Sequence, residues 1–340
     1  GDVYKRQVIQ IDFSSISAFL TGFSTYPQPL RLRLRIFTIF FLYKQTHQTV
    51  RKGELSTIMK LVFDKADLVK SVGIAMKAVS GKTTMPILEC ILIDASSNVI
   101  KFTSNDMELG IETIVTGMIL ERGIVALDAK IFSEIVRKLP DNQVTIETDE
   151  NLVTTITCEK AKFNIPGQSG EDFSYLPILE TSDCVSISQF TLKELIRQTI
   201  FSIAANENNK LMTGELFEIK DNTLRVVSLD GHRIAIRRIE LKDSYPDRKV
   251  VVPGKTLNEI SKILSGEMDD QIDIYFSENH IMFKFDDTTV VSRLIDGEYF
   301  RIDQMLSSDY ETKVTINKKE FLSCIDRATL LVNCLLYTSP

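Results

Sequence analysis

The stretch SLDGHRIAI, residues 228–236, sets Asp230, His232 and Arg233 within four positions of one another. A carboxylate beside an imidazole can act as a general acid–base pair or hold a catalytic metal, which would make the chain a metal-dependent nuclease or hydrolase. Either chemistry needs further partners. The only other histidines are His47 and His280, and no H-x-x-x-H, H-E-x-x-H or nucleophile-elbow spacing occurs. As neighbours on a strand, His232 and Arg233 would also point to opposite faces. The pattern therefore favours a structural part for Asp230 and Gly231, as the turn into a strand HRIAI. His232 and Arg233 then stand on a domain rim, where polar tips beside apolar neighbours suit peptide binding. The hydrolase built on Asp230 and His232 remains the alternative. A second suggestive stretch, SGKTTM at 80–85, ends like a phosphate-binding loop. That loop needs a glycine where Met76 stands, and a helical pattern instead of a strand precedes it. No catalytic residue, metal ligand or cofactor is assigned.

The elements that position these residues follow from the whole chain. At 340 residues and 44% hydrophobic composition, it is long enough for two or three domains, each with its own core. No run approaches the ~20 continuous apolar residues of a membrane span. The apolar run IFTIFFLY at 36–43 is too short for one and too deep in the chain for a signal peptide. Cys90, Cys158, Cys184, Cys324 and Cys334 are odd in number, scattered and free of C-x-x-C spacing. They suggest neither a disulfide framework nor a zinc site, and reduced thiols in a soluble, cytoplasmic protein fit best.

An internal repeat organises the chain. KADLVKSVGIAMKAVS at 65–80 returns in pattern as LKELIRQTIFSIAANE at 192–207 and as KKEFLSCIDRATLLVN at 318–333. VALDAKIFSEIVRKLP at 125 returns as VVPGKTLNEISKILSG at 251, GEDF at 170 as GEYF at 297, and FTSNDMELGIE at 102 as VVSLDGHRIAI at 226. Offsets of 124–128 recurring independently imply two complete units of about 126 residues and the start of a third. In each unit the spacing predicts two short helices among antiparallel strands, an α+β fold of two β-α-β-β-β halves with helices on one sheet face. The first helix, 65–77, turns Leu68, Val72, Ala75 and Val79 to one side; the second, 128–138, is expected to bury Ile131, Phe132, Ile135 and Val136. LVTTITCEKAKFNI at 152–165 is read as one strand. Domain limits are set at 59–180, 185–308 and 312–332. Residues 1–58 and 333–340 have no counterpart in the repeat and are read as a non-native leader and tail, with a genuine N-terminal extension as the alternative; Met59 reads as a natural start.

Charge is segregated. Residues 1–58 carry +5 and the remainder −11, yet the predicted helical segments alone sum to +7, leaving −18 elsewhere. Lys70 and Lys77 lie opposite the apolar stripe of the first helix, as do Lys193 and Arg197 in the second unit. Lys130, Glu134 and Arg137, followed by Lys138, match Lys255, Glu259 and Lys262 in spacing, and Lys318, Lys319 and Arg327 continue the pattern. For one helix this is an ordinary solvated face. Five helices biased alike within an acidic remainder point to attraction for phosphates without base readout.

Taken together, MKLVFDKADLVKSV, GKTTMPIL, LDGHRIAI, VVPGKTLNEI and RLIDGEYF, in this order and spacing across 59–332, resemble the bacterial DNA polymerase III beta subunit family, the replication sliding clamps. The resemblance implies three similar domains pairing head to tail into a homodimeric ring around duplex DNA, with no catalysis, no cofactor and no membrane. It implies DNA-facing Lys70, Lys77, Lys82, Lys130, Arg137, Lys138, Lys193, Arg197, Lys255 and Lys262. It also implies a cleft for short linear motifs of the replicative polymerase, the clamp loader and repair proteins, formed by Met212, Leu229, Gly231, His232, Arg233, Ile234, Phe300, Gln304 and Met305. Phe300 stands where family members often have proline. The edge strand ending KAKFNI would supply half of the dimer seam through Phe163 and Ile165. With little of a third domain present, the 340-residue chain is expected to be monomeric or prone to aggregate. A DNA-binding regulator that reads base edges is the third reading, and it would prefer one duplex sequence over others.

Overall fold

The computed structural model describes residues 59–81, 83–177, 179, 184–205, 209–306 and 311–330. The expected leader, Lys82 and the expected tail lie outside these residues. The chain divides between Asp296 and Gly297 into two compact units.

The first unit holds both repeats. Repeat 1 runs β1 (Met59–Asp64), α1 (Lys65–Ala75), β2 (Cys90–Asp94), β3 (Ile100–Asn105), β4 (Leu109–Val115), β5 (Met118–Glu121), β6 (Ile124–Asp128), α2 (Ala129–Lys138), β7 (Gln143–Thr148), β8 (Val153–Cys158) and β9 (Ala161–Gln168). Repeat 2 runs β10 (Cys184–Ser188), α3 (Gln189–Thr199), β11 (Gly214–Leu229), β12 (Ile234–Pro253), α4 (Gly254–Ile263), β13 (Gln271–Phe276), β14 (His280–Phe285) and β15 (Thr288–Arg293). Every pairing is antiparallel, and thirteen strands form one sheet in the order β10-β13-β14-β15-β4-β3-β2-β6-β9-β8-β7-β1-β5, with β11 and β12 pairing separately. This is the antiparallel α+β fold that the alternating pattern predicts.

The repeats are joined by backbone. β4 meets β15 with Ile111 opposite Val290 and Thr113 opposite Thr288, whose hydroxyls lie 3.0 Å apart. The same face of this junction is apolar: Leu109, Ile111 and Val290 enter one core with Leu192, Leu195, Leu257 and Ile260 of α3 and α4. Ala78 and Ile74, from the end of α1, reach that core as well. The other core packs Leu68, Val72 and Ala75 of α1 and Phe132 and Val136 of α2 against β1, β3, β6 and β7. Phe102 is its hub, edge-on to Phe63 at 6.0 Å and to Phe132 at 6.2 Å between ring centroids, contacts that each add about 0.5–1.5 kcal/mol beyond area burial. Helices therefore line the core-facing side of the sheet in both repeats.

Two expectations change. Ile131 is 49% exposed, because the buried stripe of α2 is Ala129, Phe132, Ser133 and Val136, an i, i+3, i+4, i+7 set that leaves position 131 a full 100° off the face. The strand expected over 152–165 is instead a hairpin of β8 and β9, folded at Glu159, whose φ of 50° is left-handed. In the second unit, α5 (Ile302–Met305) and α6 (Lys318–Thr329) are the helices described, and Asn317 caps α6 by accepting from the Lys319 and Glu320 amides. No described helix is long and apolar enough to cross a membrane.

Candidate functional site

The cations assigned to the helices fall into two groups. Lys70, Lys130 and Lys138 are exposed, and among the described residues no carboxylate pairs with them. Arg137 is also exposed and donates from Nη2 to Ser133 Oγ at 2.7 Å. Three of the four cations of repeat 2 are paired with carboxylates. Arg197 forms a two-pronged pair with Glu194, Nε to Oε1 at 2.7 Å and Nη2 to Oε2 at 2.6 Å; the bonds it donates hold the Glu194 carboxyl below its ordinary range. Lys262 pairs with Glu259 at 2.6 Å, Lys255 pairs with Asp106 of repeat 1, and Lys193 donates to the Leu264 carbonyl at 2.9 Å. Lys77 sits 4.0 Å from Glu259. Of the nine described cations, three lysines are free, Arg137 and Lys193 are bonded to neutral oxygens and the other four lie against carboxylates, so the layer attracts phosphate more weakly than its count of basic residues suggests.

The Asp-Gly-His-Arg stretch is a clamped turn between β11 and β12. Asp230 Oδ1 accepts from the His232 amide at 3.0 Å and the Arg233 amide at 3.2 Å, and Oδ2 accepts from Arg233 Nε at 2.9 Å. Gly231 has φ of 90°, a left-handed backbone that residues with a Cβ rarely adopt. The His232 amide bond, followed by those from Arg233, holds the Asp230 carboxyl below its ordinary range, so its lone pairs are committed and it is a poor general base near neutrality. Among the described residues no group of three His, Cys, Asp or Glu could hold a metal ion. β12 starts at Ile234, so His232 and Arg233 lie in the turn, ahead of the strand on which they were expected to alternate. Both are exposed and stand side by side.

Of the expected cleft residues, the structure gathers Leu229, Gly231, His232, Arg233 and Ile234 in this one turn and its flanks. Leu229 is buried and Ile234 half-buried, so they support the turn from beneath. Half-buried Met212 lies in the short 3-10 turn Lys210–Thr213, and its carbonyl accepts from the Ala204 amide at 2.8 Å. Phe201 was missed. Its ring, 56% exposed, lies 5.7 Å beneath the Arg233 guanidinium, a cation–π contact that fixes the arginine over an apolar surface. The sequence repeat, which pairs 65–80 with 192–207, sets Phe201 against apolar Ile74 and gave no signal; in the structure α1 and α3 are offset by 124, which puts Phe201 at the place of Lys77. In the second unit, half-buried Phe300 packs edge-on against Tyr299 at 5.6 Å, while Gln304 and Met305 are exposed on α5. Of the seam residues, Phe163 is 41% exposed and Ile165 is buried in the repeat 1 core.

Models of the DNA polymerase III beta subunit match this chain twice, that of the N-terminal domain over residues 59–177 and that of the central domain over 186–300. The beta sliding clamp of Bacillus subtilis is 38% identical over 283 residues, covering 80% of this chain and 74% of the relative. A solved DNA polymerase III beta subunit from Eubacterium rectale is 71% identical with a TM-score of 0.79, over 81% of this chain and 75% of that one. The solved sliding clamp of Bacillus subtilis is 37% identical with a TM-score of 0.77, over 81% of this chain and 74% of that one. Two tandem repeats of this architecture, each matched by a domain of one protein, place the chain in the bacterial DNA polymerase III beta subunit family, the sliding clamps.

Proposed function

We propose that the chain serves as a DNA sliding clamp, a non-catalytic processivity subunit in the cytoplasm that holds the replicative polymerase on duplex DNA and docks partner peptides. The observation that carries this reading is the layer of basic helices on one side of a sheet that runs unbroken through both repeats. Free lysines on that layer attract the phosphate backbone at long range without reading bases, as sliding requires. Residues 59–180 and 185–308 are taken as two clamp domains and 312–332 as the beginning of a third. The chain should bind two duplexes of unrelated sequence equally, with affinity falling steeply as salt rises, and should leave both intact with Mg²⁺ or Mn²⁺. Preference for one sequence, or cleavage, would overturn the proposal.

The partner cleft is assigned to the Asp230 turn, with Met212, Leu229, Gly231, His232, Arg233 and Ile234; Phe300, Gln304 and Met305 are included on the family resemblance alone. Apolar side chains anchor the peptide there, and His232 and Arg233 bind its polar groups. The seam is placed at the edge of β9. In the repeat, β9 corresponds to β15, and β15 takes β4 on its free side; Phe163 is the counterpart of Val290, which that pairing buries completely. A β4-type strand from another chain would cover Phe163 likewise. β4 of this chain is already paired to β15, while the equivalent edge of repeat 2, on β12, is paired only to β11 among the described residues; light scattering should give a monomer mass or open-ended aggregates, and a stable dimer would count against this seam.

A further inference from the structure

We propose that the junction of the two repeats carries a second cleft, for an extended peptide that presents an aromatic side chain next to a carboxylate. A cavity of about 230 Å³ opens there, lined by Met107 and Glu108, by Gly110 of β4, by Tyr175 in the connector after repeat 1, and by His280 and Arg293 of repeat 2. Its position repeats that of the Asp230 turn. At the 124-residue offset Met107 and Glu108 stand where Gly231 and His232 stand, and connector residues 174–177 match 301–304 at an offset of 127. The inference leans on the peptide-docking reading of the Asp230 turn for this analogy, while the cavity and its chemistry are independent of it.

The shape and charge select the occupant. Val290 points into the helix-covered core while its neighbour Val291 lines the cavity, so the opening is on the sheet face away from the helices and away from the surface proposed for DNA. The cavity is below the ~300–1,000 Å³ typical of whole small-molecule sites; it suits one side chain, with the flanking chain lying along the rim. Gly110 lets the connector lie close against β4, because a Cβ there would collide with the Leu176 side chain, which forms part of the cavity wall. Met107 is held 58% exposed by a left-handed backbone of φ 75°, and its thioether near an exposed tyrosine favours an aromatic guest. Arg293 is exposed, and among the described residues no carboxylate pairs with its guanidinium; its amide donates to the Glu108 carbonyl at 2.8 Å. A carboxylate on the guest meets that guanidinium, whereas the exposed Glu108 on the opposite rim disfavours a polyanion.

The test is methyl NMR of the 340-residue chain with ¹³C-methyl methionine, the Met107 and Met212 signals being assigned by Met→Leu substitution. Acetyl-Ser-Phe-Asp-Gly-amide should shift Met107 saturably, acetyl-Ser-Phe-Lys-Gly-amide should bind about tenfold more weakly, and Arg293→Ser should erase that difference. Arg293 is on the surface, so its replacement leaves the fold intact. A Met107 signal unmoved at ~10 mM peptide, an equal response to both peptides, or a shift by a 12-base-pair duplex in place of the peptide overturns the proposal. A response at Met212 alone overturns this cleft and leaves the docking role of the Asp230 turn standing.

Discussion

Lys70, Lys130 and Lys138 of repeat 1 reach solvent without a carboxylate partner among the described residues, whereas Arg197 and Lys262 of repeat 2 are each tied to a glutamate on their own helix. Built on equivalent helices, the two halves of the layer thus present different fields. A cation already holding a carboxylate releases little when it meets a phosphate, since one ion pair replaces another. Repeat 1 should therefore supply most of the attraction for DNA, and repeat 2 mainly a surface over which DNA moves without sticking. The interiors differ too. At the position of buried Ile91 in repeat 1, repeat 2 has Glu215, fully buried with neither carboxylate oxygen hydrogen-bonded; the adjacent Thr199 hydroxyl gives its proton to the Leu195 carbonyl at 2.7 Å.

The sharpest way to break this comparison is charge removal in one repeat at a time. Replacing Lys70, Lys130 and Lys138 together by serine should lower the slope of log affinity for duplex DNA against log salt by about 2–3 units, at roughly 0.9 for each phosphate no longer neutralised. Replacing Arg197, Lys255 and Lys262, each paired with a carboxylate, should change it by less than half as much. Equal reductions from the two triple variants would end the distinction.

The next effect is on stability. Burial raises the Glu215 carboxyl from its ordinary 4.5 to about 8, so as pH rises the unfolded chain gives up this proton before the folded one. The stability tied to the group is complete below about 4.5, declines across the interval, and is lost above about 8. Glu215→Ile, which copies repeat 1, should stabilise the protein at alkaline pH by about 1–3 kcal/mol, the cost of a buried unpaired polar group, and should flatten the dependence of denaturant unfolding on pH. A variant that loses stability between acid and alkaline pH as steeply as the parent would rule out Glu215 as the cause.

The smallest expected change sharpens the contrast between the two turns. His232→Ala with Arg233→Ala should weaken binding of a polymerase-derived peptide about tenfold, or 1.4 kcal/mol, with an unfolding midpoint matching the parent's because both side chains are exposed. Unchanged affinity would remove the Asp230 turn from the docking site.

Much of this architecture was legible in the chain. The helix faces bearing Leu68, Val72, Phe132 and Val136 follow from periodicity, and the turn at Asp230–Gly231 follows from residue type. Three features were not legible. Phe201 looked like one more apolar residue of a helix end, and only the fold brought its ring under Arg233. Glu215 sat in MTGELFE with nothing local to mark it as buried. The lysines were countable, but a count carries no partners, and Lys255 meets Asp106 from 149 positions away.

The amino-acid sequence by itself determined the tandem repeat, the class of each element and the segregation of positive charge onto helices, because these depend on local spacing and residue type. Which cations stay free, which acid is buried and which ring lies under Arg233 were decided only by the tertiary structure. Those properties depend on what lies within a few ångströms in space, and β4 meeting β15 brings together residues that no local pattern relates.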